Sequence, residues 1–157
     1  MKRFTVTPNN SLQRADEFQA LGLHSLFTHH AKTFPPEMEE YFRSEWSRSE
    51  IWQLELPVEE APVSDFAWHL DQPFWSSEPP EPRFDIIPRS VLDNPGRYAE
   101  HYRRILESDT RFPLDVARFG SKIVILDGIH RLARLYHKSA QLIRFRHIPQ
   151  ELIRRVA

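Results

Sequence analysis

The stretch KIVILDGIHRLARLYHKSAQLIRFRHI, residues 122–148, decides the fold of this chain. Its apolar run at 123–126 is typical of a buried strand, which ends at Asp127. Gly128 makes a turn, and a helix is expected over 129–139, because Ile129, Leu132, Ala133 and Tyr136 recur at helical spacing and form one buried stripe. A last strand is expected over 142–148, so the segment predicts a strand, a helix and a strand in that order.

The residues upstream of this stretch add further elements of the same kind. Alternating apolar residues predict a strand over 114–119, joined to the next strand by a turn at Gly120–Ser121. A helix is expected over 95–108, and a short strand over 84–87. The fold class is therefore α/β (α+β), a small mixed sheet with packed helices.

The N-terminal half predicts a helical extension packed on that core. Helices are expected over 11–32 and 36–48. Alternation of Trp52, Leu54 and Leu56 predicts a strand, and 64–71 is expected to be a second strand or extended arm. The segment QPFWSSEPPEPR, 72–83, carries four prolines and predicts a surface loop. We therefore divide the chain into an N-terminal segment, 1–83, and a second unit, 84–157, forming one compact body.

Composition excludes several function classes. The 157 residues include 13 prolines and only 4 glycines, at 22, 96, 120 and 128, too far apart for a P-loop or a dinucleotide fingerprint. The absence of cysteine excludes disulfides, thiolate zinc sites and cysteine nucleophiles. A formal charge of -1 lacks the basic excess of a dedicated nucleic-acid binder. With no signal peptide or membrane-spanning run expected, the prediction is a cytoplasmic protein without a membrane partner.

The junction at Asp127–Arg131 is the candidate site. His130 and Arg131 lie in the first helical turn, where the helix dipole disfavours cations and free N–H groups attract anions. Two cations there indicate a bound anion such as phosphate, which Gly128 would allow to approach closely. The alternative is structural: Asp127 caps the helix, or Arg131 pairs with Asp127. Spacing alone does not decide between these interpretations.

The run from 87 to 149 resembles the ParB/sulfiredoxin-like superfamily. The similarity is carried by IPRSVLDNP (87–95), HYRRILESDTRFPLDVARF (101–119) and ILDGIHRLARLYHKSAQLIRFRHIP (125–149). The last segment contains Asp-Gly-X-His-Arg, a pattern similar to that of the free-serine-kinase-like members. About 60 of the 157 residues are covered.

The resemblance implies a function in nucleotide binding, with ATP or CTP and Mg²⁺ as cofactors. It implies that Gly128, His130 and Arg131 bind phosphate, and we add Arg97 to this set. It also implies that Asp127 positions a metal or a hydroxyl nucleophile for phosphotransfer to a small-molecule or protein acceptor.

One departure from the superfamily limits that chemistry. Ile129 stands where sulfiredoxins have Cys, ParB proteins Glu and the kinase-like members His. Sulfiredoxin chemistry is thereby excluded, and chromosome segregation is not expected. The alternative function is a non-catalytic ParB-like binding module, for which a nucleic-acid partner is allowed but not favoured.

Other polar residues have two interpretations each. His69 and Asp71 are expected on one strand face, as an acid–base or metal pair with Asp71 catalytic, or as a merely solvated face. His101 is expected to be a partly buried structural residue, unless the fold brings it to Gly128. No metal site of the protein's own is assigned.

The last predicted strand is basic. Alternation over 142–147 places Arg144 and Arg146 on one face and Ile143 and Phe145 on the other. This face is either a nucleic-acid surface or, more in keeping with its charge, a solvated strand edge.

Overall fold

A computed structural model describes residues 36–75 and 85–155 of the chain. The helix expected over 11–32 and positions 76–83 of the proline-rich loop lie outside these residues. In chain order the helices are α1 (Pro36–Phe42), α2 (Arg48–Gln53), α3 (Pro88–Asp93), α4 (Ala99–Glu107) and α5 (Ile129–His137). The strands are β1 (Ser44–Glu45), β2 (Glu59–Pro62), β3 (Leu114–Phe119), β4 (Lys122–Asp127), β5 (Leu142–His147) and β6 (Arg154–Arg155). Short 3-10 turns occupy Val63–Asp65, Ala67–Asp71 and Gln150–Leu152.

Four strands form the main sheet, in the order β2-β5-β3-β4. β3 and β4 are an antiparallel hairpin, β3 pairs with β5 in parallel, and β5 pairs with β2 antiparallel. The sheet is therefore mixed, as the sequence predicts. β2 precedes the proline-rich loop, so both halves of the chain contribute strands to this sheet.

The strongest predictions lie in the C-terminal half, and the structure confirms them. β3 and β4 have the predicted bounds, with Gly120 at φ +58° in the turn between them. α5 begins at Ile129, which is buried together with Leu132 and Ala133. Tyr136 was wrongly assigned to the buried stripe, because it is 40% exposed and its hydroxyl accepts a hydrogen bond from Arg89.

The strand expected at Trp52–Leu56 is wrong. Residues 48–53 form α2, because Ser47 caps a new helix, its Oγ accepting a hydrogen bond from the Glu50 N–H. The helix expected over 36–48 is accordingly shorter and ends at Phe42. The alternation of apolar residues that suggested a strand arises instead from a half-buried helix followed by an extended segment.

The strand or arm expected over 64–71 is also wrong. Two 3-10 turns occupy this segment, and they bury His69 while Asp71 is exposed. The two side chains therefore do not share a face. The short strand expected over 84–87 is reduced to an isolated bridge between Ile86 and Trp75.

The prediction that Arg144 and Arg146 share one basic face of the last strand is wrong for Arg146. Arg144 is exposed, but Arg146 is only 4% exposed although it lies next to buried Phe145. β5 lies between β2 and β3, so it is not a strand edge. The helix expected from 95 starts at Ala99, after a turn. Across the described residues, every helix is too short or too polar to cross a bilayer.

Candidate functional site

The turn between β4 and α5 is the centre of the candidate site. Gly128 has φ +121°, a conformation that residues with a side chain rarely adopt. A Cβ at this position would lie 2.5 Å from Leu114 Cδ2 and 3.0 Å from Arg131 Nη2. The space beside Gly128 is thus filled by the protein's own side chains, so both backbone shape and packing require glycine.

Asp127 is surrounded by donors from two helices. Its Oδ2 accepts a hydrogen bond of 2.8 Å from Trp52 Nε1 and lies 3.2 Å from Arg131 Nη2. Arg48 Nε is 3.6 Å from Oδ1. The Asp127 side chain is 12% exposed. Of the two structural alternatives, the ion pair with Arg131 is present, whereas the N-cap residue of α5 is Gly128, with no side-chain cap.

Arg131 holds the start of α5 against the sheet. Besides the ion pair with Asp127, its Nη1 donates a hydrogen bond of 2.6 Å to the Pro113 carbonyl. Its side chain is 14% exposed. Arg131 is therefore largely committed to positioning the turn, which limits what it can offer a ligand.

His130 lies beside an aromatic stack. Its ring is 4.2 Å from that of Trp75, with 18° between the planes. Trp75 also stacks on His101, at 4.8 Å and 8°, and the two imidazole centroids are 6.0 Å apart. Contact with Trp75 thus brings His101, from α4, to the first turn of α5. His101 therefore lies near the turn at Gly128, which was the condition for considering it a functional residue.

Positive charge accumulates around this stack. We use the name cationic cluster for five residues contributed by three helices: Arg48, His101, Arg104, His130 and Arg131. Burial first, and then the charges of the other four members, holds the pKa of the His130 imidazole well below its ordinary value. Burial also lowers the pKa of Arg104, an effect opposed by Glu100 and reinforced by Arg48. Among the described residues, every charge that lowers the pKa of His130 comes from a basic side chain.

Two cluster members keep free hydrogen-bonding capacity. His130 Nε2 is buried and has no hydrogen-bond partner among the described residues. Arg104 likewise forms no hydrogen bond or ion pair within the described part of the chain. Since buried polar atoms are nearly always satisfied in proteins, the Nε2 atom calls for a partner that the described residues do not supply.

Two predicted site residues lie apart from this cluster. Asp71 forms a bidentate pair with Arg89, at 2.5 and 3.2 Å, and Arg89 also contacts Tyr136 near the C-terminal end of α5. Arg97 is exposed, with its guanidinium 5.3 Å from the Tyr98 ring centroid. The structure therefore brings Asp127, Gly128, His130 and Arg131 together and leaves Asp71 with Arg89.

His69, in the 3-10 turn Ala67–Asp71, is a structural residue that is hydrogen-bonded to β4. Its Nδ1 lies 2.8 Å from the Phe66 carbonyl, and its Nε2 accepts a hydrogen bond of 3.0 Å from the Ile125 N–H. Burial lowers its pKa to about 3, opposed by the bond to Phe66. Both ring nitrogens are satisfied in the neutral form, which leaves no role for His69 as an exposed acid or base.

A second carboxylate, Asp115, lies across the hairpin from Asp127. Asp115 is fully buried and pairs with Arg146, whose Nε and Nη2 lie 2.7 and 2.6 Å from Oδ1. Arg146 also donates to the carbonyls of Leu54, at 2.8 Å, and Ile51, at 3.1 Å. This buried brace fixes the end of α2 onto the sheet, and so positions Arg48 and Trp52 against Asp127.

The described residues do not fit a Mg²⁺ site. No group of three His, Asp or Glu side chains in the described ranges is close enough together to hold a metal ion. Asp127 is the carboxylate nearest the turn, and its contacts include two arginines and a tryptophan. A carboxylate in that setting is a poor ligand for a divalent cation, because the arginines repel it.

Sequence reasoning missed Arg48, Arg104 and Trp75. Arg104 follows His101 by one helical turn, a spacing that places both on one face of α4. Trp75 lies in the proline-rich segment that predicted only a loop. Arg48 and Trp52 are four residues apart, and their common face was hidden by the incorrect strand assignment.

Comparison with known proteins adds no relative. No protein-family model matches the chain, and no curated protein or solved structure matches it significantly. What the site does is therefore inferred from its own residues.

Proposed function

We propose that the protein binds the phosphate groups of a nucleotide, ATP or CTP, at the cationic cluster beside the N-terminus of α5. The observation that carries this proposal is the excess of positive charge around His130, together with its unpartnered Nε2. Cations crowded together at a helix N-terminus raise the free energy of the empty protein. A bound anion would reverse that cost.

The contacts that we propose fall partly on other residues than those first expected. The first intrahelical hydrogen bond runs from Leu132 N–H to Gly128 O, so the three preceding N–H groups have no acceptor within the helix. These N–H groups, His130 and Arg104 would hold the phosphate. Arg131 would contribute field and position, because its guanidinium already bonds Asp127 and Pro113.

A second part of the proposal concerns the fold of the segment that contains this site. We infer that residues 87–149 are a distant ParB/sulfiredoxin-like unit. Support comes from the glycine turn at positive φ between a buried strand and an amphipathic helix, with His130 and Arg131 in its first turn.

Binding without phosphotransfer is the form of the function that the residues favour. Ile129, at the position where the resembling families carry reactive groups, is 8% exposed and belongs to the core. Asp127 makes an ion pair and a hydrogen bond that occupy its Oδ2. We therefore expect a non-catalytic nucleotide-binding module, with any Mg²⁺ carried by the nucleotide phosphates.

Calorimetric titration with ATP, CTP and inorganic phosphate, each with and without Mg²⁺, tests the proposal. We expect binding at micromolar to millimolar concentration, weakened at least tenfold by Arg104→Gln. Arg118→Gln is the matched control, because exposed Arg118 lies opposite Ile123 towards the hairpin turn, at the far end of β4 from Asp127. Absence of binding at millimolar concentration, or equal loss in both variants, contradicts the proposal.

An assay of ADP release separates binding from phosphotransfer. With ATP and Mg²⁺, a binding module releases no ADP above the rate of ATP in buffer. Release that disappears in Asp127→Asn, with ATP binding retained, would instead establish Asp127 as the residue of a phosphotransferase or nucleotide hydrolase.

A further inference from the structure

The proposed function assigns no role to the protonation state of His130 in the cationic cluster. Its imidazole stacks on Trp75, and its Nε2 is buried without a partner. Basic groups act on it from each neighbouring helix: Arg48 from α2, His101 and Arg104 from α4, and Arg131 from its own helix. The acidic groups beside them are Asp127, paired with Arg48 and Arg131, and Glu100, which acts on Arg104 and His101. Burial and these charges favour the neutral imidazole when no anion is bound.

We propose that a phosphate enters the cationic cluster together with a proton, which His130 takes up from solvent on Nε2 and donates as a hydrogen bond to a phosphate oxygen. This inference rests on the proposed function and specifies how that site works. Uptake of one proton converts the imidazole into a cation with two N–H donors. The phosphate adds negative charge and supplies the partner that His130 Nε2 lacks among the described residues.

The direction of the effect follows from the charges. Without ligand, burial and the neighbouring cations keep the pKa of His130 well below its ordinary value, so the group is neutral at pH 7. A phosphate carries about two negative charges near that pH, which offset the arginine charges and favour the imidazolium. Affinity must therefore rise as the pH falls, by up to about tenfold per pH unit for one linked proton.

Titration calorimetry in buffers of different ionisation enthalpy measures this proton directly. The probe is the Mg²⁺ complex of ATP or CTP, whichever binds, at pH 7.0. For the wild-type protein we expect uptake of between about one half and one proton, from the slope of the observed heat against buffer ionisation enthalpy. A slope of zero with binding intact overturns the proton linkage and leaves nucleotide binding standing. No binding at all overturns both.

Matched variants assign the proton to one imidazole. His130→Gln keeps an amide donor but does not titrate, so nucleotide should still bind, with proton uptake near zero and no rise in affinity between pH 8.0 and pH 6.5. His137→Gln, on an exposed position of the same helix, should leave the uptake unchanged. Unchanged uptake in His130→Gln would contradict the assignment. Loss of uptake in His101→Gln alone would move the proton to His101 and overturn the role of His130.

Discussion

Two charged regions lie at the same end of the sheet, the buried brace of Asp115 and Arg146 and the cationic cluster, and they differ in how their charges are paired. In the buried brace, one carboxylate and one guanidinium meet, and two backbone carbonyls satisfy the remaining Arg146 donors. In the cationic cluster, Asp127 pairs with two of the five basic residues, Arg48 and Arg131, and His130 Nε2 has no partner among the described residues. The ion pair of the brace serves the fold, whereas in the cluster the proposed function assigns to a bound phosphate the task of offsetting the positive charges near His130.

The largest effect should come from breaking the brace. Asp115→Ala leaves the buried Arg146 charge without its carboxylate, and we expect the free energy of unfolding to fall by about 3–5 kcal/mol. Urea denaturation followed by circular dichroism measures this loss. The double variant Asp115→Ala/Arg146→Met should recover most of it, since no charge then remains buried. A loss below about 1 kcal/mol in the single variant would show that Arg146 finds water instead.

A substitution at the turn tests the packing that separates the two regions. Gly128→Ala forces a side chain into positive φ, at a cost of about 1–3 kcal/mol, and its Cβ meets Leu114 Cδ2 at 2.5 Å. Gly96→Ala is the control, because nothing lies within 4 Å of its added Cβ. Thermal unfolding of the two variants should therefore differ, with Gly128→Ala the less stable. Equal melting temperatures would contradict the observed backbone at Gly128.

Acid should weaken the protein through its neutral histidines. The pKa of His69 is about 3 in the folded state and near 6.5 when unfolded, so the unfolded chain binds the proton first as the pH falls. Stability is complete above pH 6.5 and decreases below it, by about 2 kcal/mol from His69 at pH 5.0. His130 acts in the same direction.

Urea unfolding at pH 7.5 and pH 5.0 measures the combined loss. His130→Gln should show a smaller loss than the wild type, and exposed His137→Gln an unchanged one. Identical losses in the wild type and His130→Gln would contradict the lowered pKa of His130.

The smallest stability effect is expected within the cluster itself. Arg104→Gln removes one of several mutually repelling charges, so the ligand-free protein should keep its stability or gain a few tenths of a kcal/mol. The same change at Arg118 relieves no comparable crowding. A clear destabilisation by Arg104→Gln would mean that Arg104 has a structural partner, and would erase the contrast with the brace.

The sequence predicted best where one rule sufficed. The β3–β4 hairpin and α5 follow from an apolar run, a glycine and a helical period, all local in sequence. The strands predicted around Trp52 and His69 are wrong because alternation over a few residues does not distinguish a strand from a short helix or 3-10 turns. Ser47 as a cap was the missing signal for α2.

The candidate site was only partly predictable for a different reason. Asp127 to Arg131 are consecutive, so their proximity follows from the sequence. Arg48, Trp75 and Arg104 reach the same place through packing of α2, α4 and the segment before the proline-rich loop, which no local pattern encodes. Arg146 shows the converse, since its alternation suggested a solvated face while a buried Asp115 drew it inward.

The hydrogen bond from the Ile125 N–H to His69 Nε2 bears on self-association of the protein. Among the described strands β4 lies at one edge of the sheet, and an unpaired N–H on an edge is a template for intermolecular strand addition. Nε2 of His69 accepts a hydrogen bond from the Ile125 N–H, so this group is not available to a strand of a second molecule. Because the pKa of His69 is about 3, the ring stays a neutral acceptor throughout mild acid and keeps this N–H covered. Acid should therefore expose the edge of β4 only when the fold itself is lost, so unfolding comes before aggregation in a concentrated sample.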